Sequence, residues 1–311
     1  MNIRVLSFVG LLTGGLLLIS GPAKAVSFNF VPISNDTLTG AQSAAFAAAA
    51  MAWSAVLTDP VQVSIGIGFR DLGTVSNSTV LGSTSSNLLA ENYGIFKAQL
   101  TADAKSGTDM TATAHLPISV PSNQVLLTMA QARAVGLRTA GTSDGSIEFT
   151  SHSGISYATT RATLTGGSYD LIGVAEHEIG HLLGFDSSLD LGTSIRSVLD
   201  LYRYSASGVL SFSAGQASYL SIDGGQTSLG SLSVGGSGQY QASHWLSGTG
   251  ALLDPAISPG REVDITPRDA LALDAVGWDV AVVEPASESV MLAGLGALAL
   301  WRRRAVSERI L

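Results

Sequence analysis

The 311-residue sequence predicts an α+β fold, on three observations. An Ala-rich helical stretch is followed at once by a strand with period-2 apolar residues. A central helix shows both of its caps, and a third capped helix closes the chain after a long Gly/Ser-rich stretch. Thr39 to Leu57 carries Phe46, Met51, Trp53 and Leu57 in an alanine background and stops before Asp59-Pro60, which reads as a buried helix. Val61, Val63, Ile65, Ile67 and Phe69 alternate as in a half-buried strand. Val125–Thr128 and Gly145–Ser151 read as further strands. From Ser205 to Gly250 glycine and serine dominate, but the apolar pieces 209–212 and 218–222 and the Asp223-Gly224-Gly225 turn point to a hairpin. Thr266-Pro267-Arg268-Asp269 opens the last helix with a Thr cap, Pro at the first position and an acid at the third, and Gly277-Trp278 ends it.

Composition excludes several classes of function. With 24 acidic against 16 basic residues and a net charge of −8, the chain lacks the electrostatic footprint for phosphates, so no nucleic-acid partner is expected. It has no cysteine, hence no disulfides, no thiolate metal site and no thiol nucleophile. A metal would have to sit on His, Asp or Glu. The central part, residues 26–280, is about 255 residues long, enough for one domain or two closely packed lobes.

Both ends read as addresses. Met1–Ala25 combines Arg4, an apolar run from Val9 to Ile19 and the small-x-small site Ala23-Lys24-Ala25, the three parts of a secretory signal peptide. At the other end, within residues 281–311, Val283-Glu284-Pro285 precedes an apolar run from Val290 to Trp301 and then Arg302-Arg303-Arg304. Twelve helical residues reach about 18 Å against a hydrocarbon core of about 30 Å, so contact with a membrane would be transient. The tail resembles the PEP-CTERM sorting signal of Gram-negative bacteria, departing from it where Val283 replaces the first proline. The resemblance implies an exported protein, extracellular or associated with the cell surface or its exopolysaccharide, and an exosortase-type enzyme as processing partner.

The segment richest in chemistry runs from Asp170 to Phe185. Asp170 is a natural N-cap and Gly184 fits the position after the helix; between them stand His177, Glu178 and His181. Residues four apart share a helix face, so both imidazoles can bind one Zn²⁺, with Glu178 beside them as a general base. A catalytic zinc needs a third protein ligand. No glutamate occurs between Glu178 and Glu262, and in the compact pattern His-Glu-x-x-His-x-x-Gly-x-x-His/Asp the last position is Ser187, with Asp186 one residue early. Asp190 and Asp186 stay open, and His244 in Ser243-His244-Trp245 is the best candidate because imidazole is the commonest ligand type. His115 and His152 are left outside the site.

Through His177, Glu178, His181, Gly184 and His244-Trp245 the chain resembles the metzincin zinc proteases, and among them the leishmanolysin-like branch with its long insertion before the third histidine. Leu253, in Leu252-Leu253-Asp254-Pro255, stands where that family has a methionine beneath the metal. The resemblance implies a two-lobed domain with a mixed sheet, an active-site helix and a C-terminal helix. It also implies a secreted zinc endopeptidase acting on protein or peptide substrates. Tyr202, Arg203, Tyr204 and Tyr240 are candidates for stabilising the oxyanion, and Gly145–Ser151 is the expected edge strand against which substrate would extend. Two alternatives are an exported surface or matrix-associated binding protein that keeps the fold without turnover, and a hydrolase of non-peptide amides or esters.

Overall fold

The computed structural model describes residues 25–33, 37–75, 78–139, 141, 143–151, 154–236 and 240–281. The expected leader up to Lys24, the tail from residue 282 onward and His152 lie outside these residues. Among the described residues no helix is long and apolar enough to cross a membrane.

The architecture is α+β, with six α-helices and several small sheets among the described residues. The principal sheet is mixed. Strands β1 (Ser27–Pro32), β2 (Gln62–Arg70), β3 (Gly82–Ser86) and β6 (Gly145–Thr150) lie in the order β1-β2-β6-β3. β1, β2 and β6 run parallel, and β3 is antiparallel to β6 at one edge. This corrects one expectation: the strand 145–150 lies inside the sheet, with β2 and β3 on either side, and the edge belongs to β3. β2 alternates as predicted, with Val63, Ile65 and Ile67 fully buried. A second sheet pairs β4 (Leu88–Asn92) with β5 (Gln124–Thr128) in antiparallel fashion.

Helix α1 (Gly40–Val56) starts on a Thr39–Gln42 capping box and lies on the principal sheet through Phe46, whose ring sits 5.1 Å from that of Phe149. On its other side it meets α5 (Leu171–Leu182), where the Trp53 indole donates to the main-chain oxygen of Glu176 at 2.9 Å. Three shorter helices, α2 (Tyr93–Asp103), α3 (Gly107–Ala114) and α4 (Met129–Ala134), complete the first part of the chain.

The Gly/Ser-rich region is ordered in the described residues. β7 (Arg203–Ala206) pairs with β8 (Val209–Leu210) and β9 (Ser218–Leu220), and β9 forms the predicted hairpin with β10 (Gly230–Leu232) around the Asp223 turn. Its polar core is organised by Arg203, which is 0% exposed. The guanidinium donates to Ser218 Oγ, Ser233 O and Ala242 O at 2.7, 3.2 and 2.5 Å. The carboxylate of Asp200, equally buried, accepts from Ser187, Ser188 and Ser197.

Helix α6 (Pro267–Ala275) begins on the predicted Thr266–Asp269 capping box. The chain then returns along the end of α1. Asp279 N donates to Asp59 Oδ2 at 2.7 Å, and Ala281 N donates to Val56 O at 2.7 Å. Burial lifts the Asp59 carboxyl to about 7, with Asp279 and Asp103 adding to the rise and Lys105 opposing it. An acid whose folded pKa is raised binds its proton more tightly in the native state. Its stabilisation is therefore complete below the unfolded value near 3.8 and is lost as pH rises through about 7. Between pH 5 and 8 the wild type should lose roughly 5–10 °C of Tm relative to Asp59→Asn, which is neutral throughout. Calorimetric melts of both across that range test this, and parallel curves would refute it.

Candidate metal centre

Helix α5 forms where the sequence places it. Asp170 accepts from Ile172 N and Gly173 N at 3.1 and 3.3 Å, and Arg161 Nε holds the same carboxylate at 2.8 Å. The helix stops at Gly184, whose φ of 117° belongs to glycine. A Cβ there would also lie 2.1 Å from Gln131 Cδ, so conformation and space demand the same residue.

His177 and His181 lie one turn apart on α5, and His244 comes from the chain between β10 and the Leu252-Leu253 turn. The three Nε2 atoms converge. His181 Nε2 is 2.9 Å from His177 Nε2 and 3.2 Å from His244 Nε2. Two nitrogens bound to one tetrahedral ion at about 2.0–2.1 Å are roughly 3.3 Å apart, so the spacing is close to that of a ligand set. Each outer nitrogen has a carbonyl partner: His177 Nδ1 meets Leu252 O at 2.8 Å, His181 Nδ1 meets Phe185 O at 2.8 Å and His244 Nδ1 meets Gln241 O at 3.3 Å. A carbonyl can only accept, so the proton of each neutral ring is on Nδ1 and the lone pairs of Nε2 face one another. A cation placed among them would relieve that repulsion. Burial also lowers the His181 pKa to about 3, with His177 adding to it, and pushes His244 well below the usual imidazole range. Neutral imidazoles aimed at one point, with carbonyl partners behind them, are the donor set of a transition-metal site. The three histidines form a group that could hold a metal ion.

Of the three candidates for the third position, His244 is the one grouped with His177 and His181. Asp190 accepts main-chain N–H groups from Gly236 and Ala242, each at 2.6 Å, and Asp186 accepts from the Ser243 hydroxyl at 3.0 Å. Both carboxylates shape the segment that presents His244. His115 caps the end of α3, with its Nδ1 on Thr111 O at 2.8 Å, away from the cluster.

Glu178 is 6% exposed and lies beneath the edge strand. Its Oε2 accepts from Thr84 Oγ1 at 2.7 Å, and the same hydroxyl is 2.9 Å from its main-chain oxygen. Two residues earlier, a Cβ on Gly82 would lie 2.5 Å from Glu178 Oε1, so the carboxylate occupies the space of the missing side chain. Burial raises the Glu178 pKa, with His177 and the Thr84 hydrogen bond opposing. Leu253 packs against α5 at Gly180, where a Cβ would come within 2.8 Å of Leu253 Cδ2.

Three of the four candidates for the oxyanion are buried. Arg203 is committed to the polar core of the Gly/Ser-rich region, and Tyr202, 1% exposed, has Tyr93, Asp109 and Tyr204 as the titratable groups that act on its hydroxyl. Tyr204 is 4% exposed on β7 and is equally removed from solvent.

Fold and site together define an α+β protein with a three-histidine candidate metal centre. Compared with protein-family models, curated proteins and solved structures, the chain matches none.

Proposed function

We propose that the protein is a zinc-dependent endopeptidase of metzincin type. The observation that carries this reading is the convergence of three imidazole Nε2 atoms beside a buried glutamate that an edge strand covers. His177, His181 and His244 would hold Zn²⁺, which, when bound, polarises a carbonyl and lowers the pKa of water toward about 7. The residues of the chain do the rest. Glu178 takes a proton from the attacking water and returns it to the leaving amine. The free edge of β3 receives the substrate backbone in extended form, so that main-chain hydrogen bonds align the scissile bond with Glu178. A scaffold that only bound metal would have no use for a carboxylate desolvated at this position. Export by the N-terminal leader and exosortase-type processing of the PEP-CTERM-like tail complete the proposal.

The test is cleavage of an unfolded protein such as casein by the full chain, with and without chelator. Activity should vanish with the chelator and return with added zinc. His244→Ala should reduce bound zinc and activity together. Cleavage that persists in excess chelator would refute the reading.

A further inference from the structure

We propose that Thr84 is a positioning residue that couples the substrate edge of β3 to the orientation of Glu178; this rests on the peptidase reading above. β3 pairs with β6 as Gly82↔Phe149, Thr84↔Ile147 and Ser86↔Gly145. Hydrogen bonds at the neighbouring positions, Thr150 N to Leu81 O and Asn87 N to Asp144 O, show that odd-numbered residues turn their peptide groups toward β6. In an antiparallel pair this alternates. The N–H and C=O of Gly82, Thr84 and Ser86 therefore point away from β6, to the side on which no strand of the described residues pairs. Thr84 has both assignments at once: its backbone is a rung of the open edge, and its hydroxyl, on the inner face, holds Glu178 Oε2 at 2.7 Å.

The hydroxyl has one proton and two acceptors on the same residue, Oε2 and the main-chain oxygen of Glu178. Donating to the carboxylate while it lies within reach of the main-chain oxygen, it ties the side chain of Glu178 to the turn of α5 that carries it. A substrate strand that draws Thr84 into register fixes the base in the same movement. Gly82 keeps the adjoining space clear, since any side chain there would displace the carboxylate.

The experiment compares Thr84→Val, which keeps the shape, with Thr84→Ser, which keeps the hydroxyl. In the full chain loaded with zinc, Thr84→Val should lower kcat about 10–100-fold and leave KM within about twofold, because the backbone edge is intact. Thr84→Ser should recover most of the loss, and zinc content should be equal in all three. A readout that needs no activity is the Glu178 carboxyl ¹³C resonance in the metal-free proteins, assigned by its absence in Glu178→Gln. It should shift in Thr84→Val and stay in place in Thr84→Ser. An unchanged resonance, an effect on KM alone, or equal losses in the two variants would overturn the proposal. If the wild type cleaves nothing, the peptidase reading fails and the resonance still decides whether Thr84 holds Glu178.

Discussion

Glu178→Gln is expected to lower kcat by about 10²–10⁴-fold while the protein still binds metal as the wild type does. Glutamine has nearly the same volume, so it fits the space left by Gly82 and can keep an oxygen on the Thr84 hydroxyl. What it cannot do is take a proton. None of the converging nitrogens belongs to this side chain, so the histidine cluster is untouched. Metal content by atomic emission and kcat on a cleaved peptide are read on the same samples. Wild-type turnover would remove Glu178 from the chemistry, and loss of metal would make it a structural partner of the histidines.

Asp269→Ala should cost about 3–5 kcal/mol of stability and weaken metal binding about 10–100-fold. Asp269 is 0% exposed and collects donors from three places. The Trp245 indole donates to Oδ1 at 2.8 Å, Leu252 N donates to Oδ2 at 3.1 Å, and Thr266 N donates to Oδ2 at 2.9 Å. Alanine would strand a buried indole N–H and the amide before Leu253, each unmet donor costing about 1–3 kcal/mol. The metal centre would feel it through both neighbours: Trp245 follows His244, and the Leu252 carbonyl holds His177 Nδ1. The measurements are calorimetric Tm and competition with a chromophoric chelator at a temperature where the variant is folded. Unchanged metal affinity would confine Asp269 to capping α6.

The elements legible in the sequence are those whose apolar spacing and caps agree. Thr39, Asp170 and Thr266 mark the starts of α1, α5 and α6, and Gly184 marks the end of α5. The ligand pair followed from the same helix geometry. β3 was invisible because Gly82-Ser-Thr-Ser-Ser86 offers no apolar alternation; it is a strand because β6 pairs with it, not through its own propensity. Without β3, the edge was placed on 145–151, and Thr84 and Gly82 had no reason to be noticed. Asp269 was legible as a cap, but its link to His244 and His177 depends on a tertiary contact with Trp245, 24 residues away in sequence. The carbonyls behind the imidazoles carry no side-chain signal at all.

The separation between His181 and His244 has a consequence for the chain as a polymer. An ion gripped by both closes a loop of 63 residues in a protein that has no cysteine. By the chain-entropy relation for cross-links, a closure of that length disfavours the unfolded ensemble by about 4 kcal/mol. Such an ion would act as the staple that a disulfide provides in many exported proteins, governed by metal supply instead of an oxidant. Stripping it should loosen the Gly/Ser-rich half within that loop before the half built on α1 and the principal sheet.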